Sequence, residues 1–394
     1  MATNPEQLNA MPAVDQKDDG IVLHWDTDNA SFYHYFWLRS ACQCDLCGDS
    51  YTGSRRLHPS DVAIDVKPAR IEVANQLKIT WQPDDHISEY DFTWLHEYAY
   101  DGQRQRVPWH PRLWDGSLDP EQVSHDLDDV KQDEPAYLEF LRTLRDYGIA
   151  IMRHGKTKPQ GIEKMAALIG EISDAAYSKV FDLKPDKNAH TYGNTTQVIP
   201  PHTDEAYLHT PTGILVLYCI NPASDGGESV LVDGFQIATR LRQQNPGAFR
   251  LLSGCPQTYH RIVPDAGMDF RTRARALNVD ESGNLVGFRF HPRSMAPIDI
   301  PGELAGQLHA ANSKLSALML LQQNQFCFQL DAGDAVFFDN HRVMHSRKGF
   351  KDLNRHLQIC NVSRDQFHQQ VRVIARQQGF IDEANQYLPA GVSG

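Results

Sequence analysis

Two histidines and one carboxylate are the residues of this chain best suited to chemistry. His202 and Asp204 flank Thr203, and His345 stands far downstream in the run Asp339-Asn340-His341-Arg342-Val343-Met344-His345. Two imidazoles and a carboxylate can occupy one face of an octahedral ferrous ion, leaving the other face open to a chelating co-substrate and dioxygen. Side chains alternate along a strand, so His202 and Asp204 are expected to point the same way. The third ligand must then arrive on another strand of a closed, cup-like sheet. Arg355 falls at the edge of the next expected strand, where a guanidinium can make a bidentate link to the distal carboxylate of a 2-oxo diacid.

A second constellation lies near the N-terminus. Cys42, Cys44 and Cys47 are too close in sequence for unstrained disulfides, and any pairing leaves one thiol over. Three thiolates converging on zinc fit better. His86 is the expected fourth ligand, with His34, His58 and His96 also available. Four protein ligands leave no open position, so this site should be structural.

The elements that must position these residues fall into two groups. Trp25, Ser31-Phe32-Tyr33 and Trp37-Leu38 are echoed by Trp81, Ser88-Glu89-Tyr90 and Trp94-Leu95, two copies of a β-hairpin followed by a short helix. The acidic, loop-like text that ends in Asp126-Leu127-Asp128-Asp129 suggests a boundary near 130, giving domains 1–130 and 131–394. Beyond it, helical spacing runs from Tyr137 to a glycine cap at Gly148, and a second helix is expected over 161–172. Strand patterns follow at 213–220, 228–233, 285–290, 325–330, 335–339 and 356–362, interrupted by helices near 236–244 and 303–322. The expected fold is mainly β with helices: a double-stranded β-helix (jelly roll) preceded by a small β-rich, zinc-binding N-terminal domain.

Composition narrows the function classes. A net charge of −12 argues against a generic nucleic-acid or anionic-membrane surface. No apolar run approaches the roughly 18 residues a membrane helix needs, and no secretory signal is visible at the N-terminus. Cys219, Cys255, Cys327 and Cys360 are scattered like small hydrophobes in a reducing compartment, so a cytoplasmic protein is expected.

Several of these runs, together with Gly226-Gly227-Glu228-Ser229, Phe338-Asp339-Asn340 with Arg342, and Arg355-His356-Leu357, resemble the γ-butyrobetaine hydroxylase family of Fe(II)- and 2-oxoglutarate-dependent oxygenases. The region around Cys42 and His86 resembles that family's zinc-binding N-terminal domain, so the likeness spans nearly the whole chain. It implies that His202, Asp204 and His345 bind Fe(II), and that Arg355 and Ser229 contact 2-oxoglutarate. It also implies that Cys42, Cys44, Cys47 and His86 bind Zn(II). The expected partners are a small-molecule substrate, dioxygen and a second copy in a homodimer. Related halogenases replace the iron carboxylate with a small residue, so retention of Asp204 favours hydroxylation or desaturation.

The substrate positions depart from the family. Its aromatic cage for a trimethylammonium group falls here on Tyr177, Phe181, Asn194 and Asn361, with Tyr192 two residues from Asn194 on the same expected strand face. Its carboxylate-gripping asparagines fall on Thr191 and His291, and Arg293 is a further candidate for an acidic group. A betaine, a trimethylammonium phosphonate or a less methylated amine would suit, the last because Asn194 and Asn361 could accept its N–H groups. The competing expectation is a non-catalytic zinc protein whose barrel binds a ligand or partner.

Overall fold

The computed structural model describes residues 11–100, 109–158, 160–176, 178–186 and 191–386. The chain divides between Val107 and Pro108 into two units. In the first, the two expected repeats are present, and each gains a leading strand. Strands Ala13–Gln16, Gly20–His24 and Ala30–His34 precede the helix Tyr35–Ser40; strands Pro68–Val73, Leu77–Trp81 and Ile87–Tyr90 precede the helix Phe92–Glu97. Alternation buries Ile21 and Leu23 in one sheet and Leu77, Ile79 and Trp81 in the other.

The repeats interlock through equivalent residues. Tyr33 donates its hydroxyl to the carbonyl of Leu95 at 2.6 Å, and Tyr90 donates to the carbonyl of Leu38. The indole of Trp25 donates to Ser31 at 2.9 Å, and that of Trp81 to Ser88 at 2.8 Å. Helices of six residues are not stable alone, so these cross-links and the shared apolar core must hold them.

The boundary expected near 130 is corrected by this division. Trp114 and Val123 pack with Phe326 and Val336, and Leu127 and Val130 pack with Phe140, all within the second unit. The acidic run is a helix start, not a linker. Asp126 caps the helix Leu127–Gln132 by accepting from the amides of Asp128 and Asp129. Acids in a first turn favour the helix dipole, while Leu127 and Val130, three apart, share its buried face.

The second unit is built on two sheets. One runs in the order Val180–Leu183, His356–Val362, Ile214–Asn221, Ala335–Asp339, Ile149–Arg153, Ser124–Asp126; the other in the order Ile199–His202, Val343–Arg347, Ser229–Asp233, Phe326–Phe328. Alternate residues of the central strand serve different cores. Ile214 and Val216 pack under helix residues Leu141, Ile162 and Phe367, whereas Leu215 and Cys219 face Leu231 and Phe326 across the sandwich. Both faces are covered, which is why this strand reads as one continuous apolar run. This is the expected jelly roll with helices.

Strands 335–339 and 356–362 match expectation at both ends. The helix expected over 161–172 stops at Ala166, and the hairpin Gln257–Val263/Met268–Ala274 and the helix Arg364–Gln377 were not anticipated. Among the described residues no helix is long and apolar enough to cross a membrane.

Gly148 caps the helix Glu134–Tyr147 at φ 74°, as expected, and a Cβ there would meet Arg342 Cδ at 2.9 Å. The Arg342 side chain is fully buried. Its Nε and Nη2 donate to both oxygens of Asp233 at 3.0 and 2.9 Å, and it also donates to the carbonyls of Asp146 and Arg112. Asp233 in turn caps the helix Gly234–Gln244 and accepts from the Trp114 amide. Arg342→Ala should therefore cost about 3–5 kcal/mol of stability, because Asp233 would be left as an uncompensated buried charge. Denaturant unfolding measures this, and a loss below about 1 kcal/mol, the surface-pair range, would contradict it.

Candidate metal centres and active-site cavity

The thiol cluster draws on both repeats of the first unit. Cys42, Cys44 and Cys47 follow the helix Tyr35–Ser40, and His86 sits in the turn before the strand Ile87–Tyr90. His86 Nε2 lies 3.3, 3.6 and 3.4 Å from the three sulfurs in chain order. A tetrahedral zinc with ordinary bond lengths separates sulfur from nitrogen by about 3.6 Å, so the donors are already at metal spacing. Burial pushes the Cys42 thiol up to about 11, so a bound cation is needed to hold it as thiolate at neutral pH. Arg39 donates to Cys47 Sγ at 3.4 Å and pairs with Asp84, adding positive charge beside the three thiolates. The other candidate histidines are occupied elsewhere: His58 with Ser60, His34 with Tyr100, and His96 against the Trp25 ring.

In the second unit, His202 ends its strand directly opposite His345 on the neighbouring antiparallel strand, with ring centroids 4.2 Å apart. Asp204 does not share the strand face expected for it. It lies in the turn beyond the strand's end, and its carboxylate reaches back to both rings, 3.3 Å from His202 Nε2 and 3.6 Å from His345 Nε2. Asn340 holds that turn. Its oxygen accepts from the Asp204 amide at 2.7 Å, and its amide nitrogen donates to the carbonyls of Asp204 and Thr212 at 3.0 Å.

His202 Nδ1 lies 2.9 Å from the Pro200 carbonyl, which fixes the proton there and leaves Nε2 to ligate. Burial depresses His345 to about 3, keeping it in the neutral, ligating form. Burial alone would raise the Asp204 carboxyl, but the two imidazoles draw it below the ordinary carboxylate range. The three donors lie within 4.8 Å of one another. They line a cavity of about 510 Å³. Two nitrogens and one carboxylate beside open space fit a facial ferrous site.

Arg355 lines the same cavity and is only 4% exposed. Its Nη2 donates a long hydrogen bond, 3.5 Å, to the Gly227 carbonyl, and its guanidinium packs on the Phe350 ring at 5.0 Å. Among the described residues no carboxylate lies within ion-pairing distance of it. Burial lowers it to about 10, so it stays charged at neutral pH. Gly227, at φ 73°, is needed here, since a Cβ would come within 3.2 Å of Arg355 Nε. Ser229 is buried on the adjoining strand and also lines the cavity. A buried, unpaired guanidinium is costly and calls for an anionic ligand.

Residues 115–361 match the taurine catabolism dioxygenase TauD, TfdA family, and residues 13–96 match the γ-butyrobetaine hydroxylase-like N-terminal domain. The chain belongs to this dioxygenase family. It is 29% identical over 366 residues to the γ-butyrobetaine dioxygenase of Pseudomonas sp. (strain AK-1), covering 91% of this chain and 94% of that one. It is likewise 29% identical over 383 residues to the mitochondrial trimethyllysine dioxygenase of Gallus gallus, covering 95% and 90%. A solved structure of a putative α-ketoglutarate-dependent taurine dioxygenase from Burkholderia xenovorans aligns with a TM-score of 0.47 at 15% identity, covering 64% of this chain and 91% of that one. The protein is a 2-oxoglutarate-dependent dioxygenase using Fe(II), with a structural zinc in its N-terminal domain.

The rest of the dioxygenase cavity departs from the sequence expectations. Tyr177 lies outside the described residues. Phe181 and Thr191 line the cavity, as does Tyr192, but Tyr192 belongs to a short 3-10 turn with Asn194, not to a strand. Asn194 points away: its amide nitrogen donates to the carbonyls of Asp182 and Lys184, both at 2.9 Å, and its oxygen pairs with the Thr191 hydroxyl. Asn361 lines the cavity, but its oxygen already accepts from the Gly213 amide at 2.7 Å. His291 braces the His202–Asp204–His345 triad, with its ring edge-on to His202 at 4.8 Å and Nδ1 2.9 Å from the Thr203 carbonyl. Arg293 stands at the exposed rim over the Tyr192 ring at 5.4 Å.

Arg347 and Glu205 are among the cavity residues that escaped the sequence reading. Arg347 donates to the carbonyls of Gly193, Thr195 and Gln197 at 2.9, 2.7 and 2.8 Å, pinning the 191–197 loop to the strand that carries His345. Its position two residues after His345, on the same strand face, was the available signal. Glu205 follows Asp204 at φ 52° and is 7% exposed. Its Oε1 accepts from the Ala176 amide at 2.8 Å, while Oε2 is enclosed without a hydrogen-bond partner among the described residues. Burial pushes its carboxyl up to about 7. Nothing in the sequence marked it.

Proposed function

We propose that this dioxygenase hydroxylates an unactivated C–H bond of a small cationic or zwitterionic molecule, with His202, Asp204 and His345 as the iron ligands and Arg355 and Ser229 holding 2-oxoglutarate. The observation that carries the reading is Arg355, buried and without a carboxylate partner among the described residues, on the wall of the cavity that the triad lines. When bound, iron and 2-oxoglutarate supply the oxidant: dioxygen and 2-oxoglutarate go to succinate and carbon dioxide, and one oxygen atom becomes the product hydroxyl.

The chain's own residues do the rest. Pro200 keeps the proton on His202 Nδ1, Asn340 sets the Asp204 carboxylate, and Phe350 stacks beneath Arg355 so that its fork faces the cavity. Arg293 at the rim suits an acidic group, and Phe181 and Tyr192 offer apolar surface to the alkyl chain. A betaine, a trimethylammonium phosphonate and a less methylated amine all meet that description. Both relatives named above act, by their names, on trimethylammonium compounds.

Succinate release against a panel of amines, betaines and phosphonates tests the substrate class. Stimulation only by uncharged substrates would overturn it. Arg355→Ala should raise the KM for 2-oxoglutarate roughly 10- to 100-fold, the worth of one charge-assisted hydrogen-bonded pair, with Arg355→Lys intermediate. An unchanged KM in Arg355→Ala would remove Arg355 from the co-substrate site.

A further inference from the structure

We propose that Arg347 is a positioning residue that ties the co-substrate site to the substrate wall: 2-oxoglutarate bound at Arg355 tightens the grip of Arg347 on the 191–197 loop. The inference rests on the reading of Arg355 as the co-substrate residue and goes beyond it to what sets the shape of the cavity.

The loop supplies Thr191, Tyr192 and Thr195 to the cavity wall. Its internal order is one short 3-10 turn, Tyr192–Asn194, and a bond from the Tyr192 hydroxyl to Gln197 at 2.8 Å. The segment 347–350 holds it from outside. The two terminal nitrogens of Arg347 serve the carbonyls of Gly193, Thr195 and Gln197, and the Phe350 amide donates to the Thr196 carbonyl at 3.1 Å. A guanidinium suits convergent carbonyls because its donors are fixed in one plane, whereas an ammonium is a point charge on a flexible stem.

The same segment reaches the co-substrate residue. The Phe350 ring carries both guanidiniums, Arg347 at 4.8 Å and Arg355 at 5.0 Å. Phe350 also pairs with Gly226, and Gly349 accepts from the Gly227 amide at 3.2 Å, next to the Gly227 carbonyl that receives Arg355. Both arginines are buried, and among the described residues neither has a carboxylate partner. Two buried cations stacked on one ring repel each other, and burial weakens the screening between them. A dianion held by Arg355 relieves that repulsion and leaves Arg347 free to settle on the loop carbonyls. By linkage, whatever orders the loop also favours the co-substrate.

Hydrogen–deuterium exchange tests this, read by mass spectrometry on peptides spanning 191–197. The Fe(II)-loaded enzyme is compared under argon with and without saturating 2-oxoglutarate. In the wild type the co-substrate should slow exchange across the loop roughly 5-fold or more, the low end of ordinary coupling between two sites. Arg347→Ala should still develop the visible band of the Fe(II)·2-oxoglutarate complex yet lose the slowing, and Arg347→Lys should keep only part of it. Phe350→Leu leaves the three Arg347 bonds in place, so its loop should stay protected without co-substrate while the further slowing shrinks. Peptides from the strand Ala335–Asp339 report any general loosening; should Arg347→Ala exchange fast there too, the Lys and Phe350→Leu variants decide. A brace with a purely structural role would protect the loop equally with and without 2-oxoglutarate. That result in the wild type, or full slowing kept in the Arg347 variants, would overturn the proposal. Absence of the visible band in the wild type would instead overturn the oxygenase reading beneath it.

Discussion

Replacing His345 by alanine should reduce substrate-driven succinate formation on the order of 10³-fold or more and abolish the visible band of the Fe(II)·2-oxoglutarate complex. As the proposed iron ligands the three donors act as a set, so removing one imidazole would leave a two-donor site with one more coordination position open to water. The variant isolates chemistry from folding. His345 Nδ1 makes no hydrogen bond among the described residues, so no buried polar partner is orphaned by the substitution. The ring packs between His202 and Phe338, at 4.2 and 5.2 Å, and its loss opens a modest gap at the cavity wall. Unfolding of the metal-free protein should accordingly shift little. A His345→Ala enzyme that retains both band and turnover would show that the iron ligands lie elsewhere.

The second large effect concerns zinc. Chelation, or Cys42→Ser, should unfold the N-terminal module. A structural zinc of this donor type contributes roughly 10–16 kcal/mol at neutral pH, as much as or more than the ~5–15 kcal/mol that holds a typical domain together. The module's own resources are limited: two three-stranded sheets, a two-stranded one of two residues per strand, two six-residue helices, and a core centred on Trp81, Tyr33 and Tyr90. The metal joins the loop after the first repeat's helix to a turn of the second repeat, so its removal releases a link between the two halves. Near-ultraviolet circular dichroism reports the result through Trp37 and Trp94, whose rings lie 5.8 Å apart. A native aromatic signature surviving stoichiometric zinc removal would show that the cluster is dispensable for folding.

Much of the site was legible before any fold was known. Metal ligation restricts residue type so severely that Cys42, Cys44 and Cys47 stood out by identity and spacing, whereas His202 and His345, two of 18 histidines, needed Arg355 and the family resemblance to single them out. The strands at 335–339 and 356–362 were legible because both faces of the sheet are apolar, and Gly148 because a left-handed helix cap leaves few choices. The Trp-Leu echo was legible because the same tyrosine-to-carbonyl bond is made twice.

What the sequence could not convey depends on neighbours that arrive from far along the chain. The run from Asp126 to Asp129 is locally as polar as a linker and becomes a helix because Phe140 covers Leu127 and Val130. Asp204 leaves the strand because Asn340 captures its backbone. Asn194 turns from the cavity because two carbonyls and a hydroxyl satisfy its amide, whereas Glu205 Oε2 is enclosed without a hydrogen-bond partner among the described residues. Residue identity by itself determined which metals this protein can hold, and so its reaction class, because the donor atoms are intrinsic to the side chains. Which polar groups remain unsatisfied around those metals, and hence what the cavity is built to receive, was decided only by tertiary structure, because satisfaction belongs to a pair of groups and not to either one.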